Sequence, residues 1–227
     1  VTLPYTKSQV TKGNISLEFS GHSGVPFNVT PSLPLNLTPG TTTSITINVA
    51  ASPGNYAAWS KTVSITRSLN DVAKLQSFTL NGETKTVASD GSFASEYEVA
   101  SDKAEVKGFS FAAGSTGATA SVNPEGNVPI PAGMGKTFTI TVKAQDGTVK
   151  QTIPFTVKRK KYTVTYSVAA SGNGTIQANS GSPTTGSSIQ VVHGESVTFT
   201  ATSADETHYK VGDWTCIPSE GFTGASG

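Results

Sequence analysis

Three histidines, His22, His193 and His208, and one cysteine, Cys216, are the side chains from which a metal or nucleophilic site would be built. None of them has the His-x-x-His, His-x-x-x-His or Cys-x-x-Cys spacing that brings two ligands onto one metal. His208 and Cys216 share a neighbourhood, but two ligands are too few for a structural zinc. Gly21-His22-Ser23-Gly24 has the outline of a nucleophile elbow. Val25 stands where the closing glycine belongs and no helix pattern follows, so a tight turn is expected instead. Asp102 and Glu105 lie close in sequence, without the flanking aromatics of a glycosidase pair. No glycine-rich loop opens a helix to cradle a phosphate. These residues predict no enzyme, no metal and no other cofactor.

Binding has a stronger basis. Tyr56 and Trp59 follow the turn Pro53-Gly54-Asn55. Aromatics on a loop stack on sugars or anchor a protein partner, so this pair is the candidate binding site. The competing expectation is that Trp59 plugs the end of a β-sandwich. The Asn-x-Ser/Thr triplets at Asn14, Asn28, Asn36 and Asn173 are read as chance occurrences in a Ser/Thr-rich chain.

What must position these residues is legible from composition. The chain has 227 residues, enough for two or three domains, with 14% charged residues and a net charge of +1. Such a balance argues against a nucleic-acid surface, which needs a strong basic patch. The one basic run, Lys158-Arg159-Lys160-Lys161, falls between two modules and is expected to be solvated. No apolar run approaches the roughly 20 residues of a membrane-spanning helix. A lone cysteine rules out an intrachain disulfide, and Cys216 is expected as a small buried apolar group. No signal peptide is visible, and the abrupt start and the Gly/Ser-rich end suggest a piece of a larger secreted protein. Thr, Ser, Gly and Val dominate, which suits short strands and turns. No long 3.6-residue apolar period occurs, so almost no helix is expected.

One stretch occurs twice. Leu37-Thr38-Pro39-Gly40 leads through Ile45-Thr46-Ile47-Asn48-Val49 to Pro53-Gly54, and Ile130-Pro131-Ala132-Gly133 leads through Phe138-Thr139-Ile140-Thr141-Val142 to Asp146-Gly147. Gly40 and Gly133 lie 93 positions apart, as do Gly54 and Gly147. Each copy reads as a turn, an alternating strand and a second turn, which predicts two copies of one β module. The first spans residues 1–70, with strands around Ile15-Leu17-Phe19, Val25-Phe27-Val29, Ile45–Val49 and Val63-Ile65. The second spans 71–159. Its strands carry Leu75-Phe78-Leu80, Thr84-Thr86-Ala88, Phe93-Tyr97-Val99, Val106-Phe109-Phe111, Ala118-Ala120-Val122, Phe138–Val142 and Ile153-Phe155-Val157. Asn81-Gly82 marks a hairpin. About seven short strands with frequent turns predict an antiparallel sandwich. Residues 160–227 change character. Tyr162-Val164-Tyr166-Val168 alternate, Gly172-Asn173-Gly174 turns, a loop covers Ser180–Ser188, and Val197-Phe199-Ala201 follow.

The second copy resembles the cadherin-like β-sandwich of bacterial surface proteins. The likeness rests on Leu75–Leu80, Tyr97-Glu98-Val99 and the closing hairpin from Gly135 to Thr148. The first copy looks like a degenerate version. The third segment resembles the divergent internalin-type B repeat, through Tyr162-Thr163-Val164, Gly172-Asn173-Gly174-Thr175, Gly194–Ala201 and Tyr209-Lys210-Val211-Gly212-Asp213-Trp214. In that pattern Trp214 is a core residue, and the family's closing strand lies further past the Trp than this chain extends. The fold these resemblances imply is all-β: tandem immunoglobulin-like or cadherin-like sandwiches plus a small β-rich C-terminal module. They imply a bacterial protein that is secreted, or held at the cell surface as a lipoprotein is. Calcium bridging is not implied, because the Arg67–Ala73 junction offers only Asp71 as an acidic residue.

The expected function is a non-enzymatic, extracellular spacer or adhesion unit facing a host or neighbouring-cell protein or glycan. The alternatives are a carbohydrate- or glycoprotein-binding module using Tyr56 and Trp59, and an accessory region of a larger secreted enzyme. The second copy opens with a hairpin, Leu75–Ala88, that the first copy lacks. A sandwich without that element exposes unpaired backbone groups. Either further sequence completes the first module, or another chain adds a strand to it.

Overall fold

The computed structural model describes residues 1–18, 21, 24–90 and 92–216. Among them the only helical element is a short 3-10 turn at Lys12–Asn14, and the rest of the regular structure is strand. The protein is therefore all-β, as a chain rich in β-branched residues and turn formers requires.

The first sheets come from β1 (Thr2–Leu3), β2 (Gln9–Val10), β3 (Asn28–Thr30), β4 (Leu35–Asn36), β5 (Thr42–Val49) and β6 (Trp59–Arg67). One sheet runs β1-β6-β5-β3, and β2 pairs with β4 alone. β5 and β6 are antiparallel from Thr42 opposite Thr66 to Val49 opposite Trp59. Strand alternation sends Ile45, Ile47 and Val49 inward, where all three are buried. The opposite face carries a ladder of hydroxyl pairs. Thr42 meets Thr66 at 2.7 Å, Ser44 meets Ser64 at 3.3 Å, and Thr46 meets Thr62 at 3.0 Å. Ser60 then donates to the Asn48 side chain at 2.8 Å.

The second group comprises β7 (Leu75–Leu80), β8 (Glu83–Thr86), β9 (Glu96–Val99), β10 (Lys103–Phe111), β11 (Thr119–Asn123), β12 (Asn127–Pro129), β13 (Lys136–Lys143) and β14 (Val149–Arg159). They form two four-stranded sheets, β12-β10-β7-β8 and β11-β13-β14-β9. Between the sheets lies one contiguous core in which Phe78, Ile130, Phe138, Ile140, Val142 and Val157 are wholly buried. Phe155 stacks on Phe138 at 5.7 Å between ring centres and meets Phe78 at 5.3 Å, while Phe93 and Tyr97 present their edges to it. Leu75, Phe78 and Leu80 all point inward although their spacing is not strictly alternate. The β7–β10 register shifts between Lys107 and Ser110, around Gly108, whose positive φ marks the irregularity.

Corresponding strands of the two stretches pair alike, apart from a register shift between Val142 and Lys143 that β5 and β6 lack. Val29 lies opposite Ile47, and Val122 lies opposite Ile140. β1 runs parallel to the end of β6, and β9 runs parallel to the end of β14. Leu37 donates its amide to Ser8, and Ile130 donates its amide to Asp102, at 2.8 and 2.7 Å.

The third group is smaller: β15 (Lys161–Ser167) pairs with β17 (Gly186–Val192), and β16 (Gly174–Ala178) pairs with β18 (Phe199–Ser203). Among the described residues of this segment, Ile176 and Ala178 are the fully buried apolar side chains, and Tyr166 packs against Phe199 at 5.0 Å between ring centres.

Five expectations change. Ile15 and Leu17 are half-buried against the first core, but residues 15–18 form no strand, and Phe19 lies outside the described residues. Their equivalents in β10 are held by β7, and among the described residues no strand pairs with 15–18. In β8 the inward side chains are Lys85 and then Val87, not Thr84, Thr86 and Ala88. The tight two-residue turn at Asn81-Gly82 sets that parity. The loop expected at 180–188 ends early, because β17 begins at Gly186. Cys216 is exposed rather than buried, on a stretch without strand pairing. The run at 158–161 is not simply solvated, for reasons that belong to the junctions described next.

Candidate functional site

Tyr56 and Trp59 sit on either side of the return into β6. Tyr56 closes a small loop by exchanging backbone hydrogen bonds with Ser52, at 2.9 and 3.0 Å, and is half-buried. Trp59 is the first residue of β6 and lies on the same face as Val63 and Ile65, the face that builds the core. It is 37% exposed and lies opposite the buried Val49. Trp214, expected in a core, is half-buried.

The first module has an open apolar cleft of about 450 Å³ whose walls include Leu3, Ile15, Leu17, Ile45, Ile47 and Val63. In the second module the residues equivalent to Ile45, Ile47 and Val63 are Phe138, Ile140 and Phe155, which are covered by the β7–β8 hairpin. The cleft thus lies where the sister module carries Leu75, Phe78, Leu80 and Val87.

Two arginines hold the ends of the paired strands, and nothing in the sequence singled them out. Arg67 donates from Nε to the Tyr5 carbonyl and from Nη1 to the Leu37 carbonyl, at 2.8 and 2.9 Å, and its guanidinium lies 4.7 Å from the Tyr5 ring centre. Arg159 donates from Nε to the Ile130 carbonyl at 2.7 Å. Leu37 and Ile130 are the first residues of the two repeated stretches. The signal available was their shared position at the end of the last strand of each copy.

The junctions are ordered. Asn70 is buried and donates from Nδ2 to the Gly114 and Thr116 carbonyls at 2.7 and 3.0 Å. Its own amide donates to Gln145 Oε1, its Oδ1 accepts from Val72, and its carbonyl accepts from Asp146. Between β14 and β15 a single residue intervenes. Lys160 donates its amide to Val99 at 2.9 Å, and its carbonyl accepts from His193 at 2.8 Å. Arg159 also reaches Glu195 at 3.2 Å, and Lys158 pairs with Glu96 at 2.5 Å. The basic run is therefore tied into both neighbouring modules.

Among the described residues the titratable groups do not converge. His193 packs beside Tyr162, and His208 bonds Asp205 at 2.6 Å. Glu105 pairs with Lys107, away from Asp102. His22 and Ser23 lie outside the described residues. Among the described residues no group of three or more His, Cys, Asp or Glu is placed to hold a metal ion. Three turn aspartates, Asp90, Asp146 and Asp205, are held below the usual carboxylate range. In each the first cause is a hydroxyl two residues on, from Ser92, Thr148 and Thr207 respectively. Burial pushes the Tyr97 phenol up. These shifts come from turn capping and packing. No helix is long and apolar enough to cross a membrane, among the described residues. No protein-family model, no curated protein and no solved structure matches the chain.

Proposed function

We propose that this chain is a non-enzymatic structural segment of an extracellular bacterial protein, in which tandem β modules act as a spacer or adhesion unit. The observation that carries the spacer role is the Lys160 joint: one residue separates two strands, and its amide and carbonyl bond to opposite modules. A joint with no slack resists bending, whereas a flexible linker separates its domains freely. At the other end of the second module Asn70 is anchored to that module, through Gly114, Thr116, Gln145 and Asp146. The resemblances to cadherin-like sandwiches and B repeats support the extracellular setting.

Distance measurement between spin labels on Glu125 and Ser182, in a Cys216→Ser background, tests the spacer role. A narrow distribution that broadens when four glycines are inserted after Lys160 is the expected result. An equally broad distribution without the insertion would reject a stiff joint.

A second role is favoured by the exposure of Trp59: stacking on a glycan or a glycoprotein, with Tyr56 alongside. Binding on a glycan array that disappears with Trp59→Ala would support it. Binding unchanged by that substitution would remove Trp59 from the site.

A further inference from the structure

Asn-Gly occurs twice in the chain, at Asn81-Gly82 and Asn173-Gly174. The pair is labile wherever the chain can turn. Asparagine offers a side-chain amide carbon to attack, which makes it one of the thermolabile residues. Glycine has no Cβ to shield its main-chain nitrogen, and it gives the backbone the freedom that ring closure needs. The fold treats the two copies differently.

Asn81 is held by three bonds. Its amide donates to the Glu105 carbonyl at 2.9 Å. Its Oδ1 accepts from the Glu105 amide at 2.7 Å, and its Nδ2 donates to the Lys103 carbonyl at 3.0 Å. Its backbone is fixed at φ 49° in the turn that joins two paired strands. The carboxamide cannot swing toward Gly82 without releasing this set.

Asn173 is exposed and stands just before β16. Among the described residues no hydrogen bond holds its side chain. Its main-chain oxygen accepts from Ala204 at 3.1 Å, the bond that ends the β16–β18 ladder. Gly174 lies opposite Ser203, and the alternation of an antiparallel ladder then turns its N–H to the edge away from β18. On that edge the Ile176 amide bonds the Thr184 carbonyl at 2.7 Å, and Gly174 has no counterpart to this bond among the described residues. Nucleophile and electrophile are both unengaged, and a single terminal bond, of the kind that frays first, keeps the backbone in place.

We propose that Asn173-Gly174 is a site of spontaneous deamidation, and that the turn protects Asn81-Gly82 from the same reaction. The Gly174 main-chain nitrogen gives up its proton to water or hydroxide and attacks Cγ of Asn173. The N–Cγ bond forms, the Cγ–Nδ2 bond breaks, and Nδ2 takes a proton and leaves as ammonia. Water then opens the succinimide at either carbonyl, which gives aspartate or isoaspartate. Both products carry a carboxylate at position 173. In isoaspartate the chain runs through the former side chain, and the oxygen that accepted from Ala204 becomes part of a free carboxylate. The ladder then loses its end beside Ile176 and Ala178, the buried apolar residues of this segment.

The two pairs test each other within one molecule. The full chain is aged in warm, mildly alkaline buffer, with a parallel sample in denaturant, and both are digested for mass mapping with isoaspartyl peptides resolved. In the folded chain Asn173 should convert at least about tenfold faster than Asn81, because several bonds must open together at Asn81. In denaturant the two rates should converge. The aged isoaspartyl fraction should show faster hydrogen exchange at the Ala204 amide. Asn173→Asp, which keeps the ordinary main chain, should leave that amide protected. Three outcomes overturn the proposal. One is equal conversion of the two pairs in the folded chain. Another is an unreactive Asn173 in the folded chain while the denatured chain converts, which would mean that the fold protects it too. The third is a rate difference that persists in denaturant, which would assign it to the neighbouring sequence instead of the turn.

Discussion

Arg159 donates from Nε to the main-chain oxygen of Ile130 at 2.7 Å, tying the last strand of the second module to the turn that opens its repeated stretch. The Arg67–Leu37 bond does the same in the first module at 2.9 Å. A charged donor on a carbonyl is among the stronger hydrogen bonds of a protein. Its position at a strand end explains why β14 is not frayed where β15 begins.

Arg159→Ala is expected to destabilise the second module by about 1–3 kcal/mol, because it strips a charged donor from a partly buried carbonyl. Glu195→Ala removes only the outer, exposed partner of the same arginine and should cost no more than about 1 kcal/mol. Chemical denaturation of both variants checks the ranking. Equal losses would mean that the outer ion pair, and not the carbonyl bond, matters.

Phe78 has no accessible surface and touches Phe93, Tyr97 and Phe155. Phe78→Ala should destabilise the second module by about 3–5 kcal/mol through lost burial and a residual cavity. The first module should be little affected, since its core does not include this residue. Residue-resolved hydrogen exchange separates the two responses.

The β7–β8 turn depends on two left-handed residues, Asn81 at φ 49° and Gly82 at φ 85°. Gly82→Ala should cost about 1 kcal/mol from conformational strain alone. Asn81→Ala should cost more. The Asn81 side chain accepts from the Glu105 amide at 2.7 Å and donates to the Lys103 carbonyl at 3.0 Å, so the turn is stitched to β10. Thermal unfolding of the two variants gives the order.

Asp146 caps its turn by accepting from the Thr148 hydroxyl at 2.7 Å and from the Thr148 amide at 2.9 Å. These bonds favour the ionised carboxylate, so its folded pKa lies below the usual 3.8. A depressed carboxylate contributes stability that is present above pH 3.8 and is lost as pH falls through the lower folded value. The Asp146 side-chain resonance should therefore titrate below 3.8, and Thr148→Val should move its midpoint back up. A midpoint that does not move would exclude the hydroxyl as the main cause.

Much of the strand content was legible because local signals were strong. Ile45-Ile47-Val49 and Phe138-Ile140-Val142 alternate cleanly, and Asn81-Gly82 permits little but a hairpin. The parallel contacts of β1 with β6 and β9 with β14 were not legible. They join residues some 60 positions apart and leave no periodicity of their own. Ile15-Leu17 carries the pattern of a strand without the partner that would make it one, since pattern sets facing and pairing needs a second chain segment. The roles of Arg67 and Arg159 were hidden because a basic residue at a module boundary has the same sequence appearance whether solvated or bonded. At the candidate site, the aromatic pair was found from its turn. The cleft became visible only when the first core was laid beside the second, where β7 and β8 occupy the matching place.

The hydroxyl ladder between β5 and β6 has a consequence for where such a surface can work. Thr42–Thr66, Ser44–Ser64 and Thr46–Thr62 hold that face together through uncharged groups. Dissolved salt weakens interactions between exposed charges, and acid neutralises carboxylates. Neither acts on a paired hydroxyl. This face should keep its cross-strand bonds in brine, in fresh water and in mild acid alike.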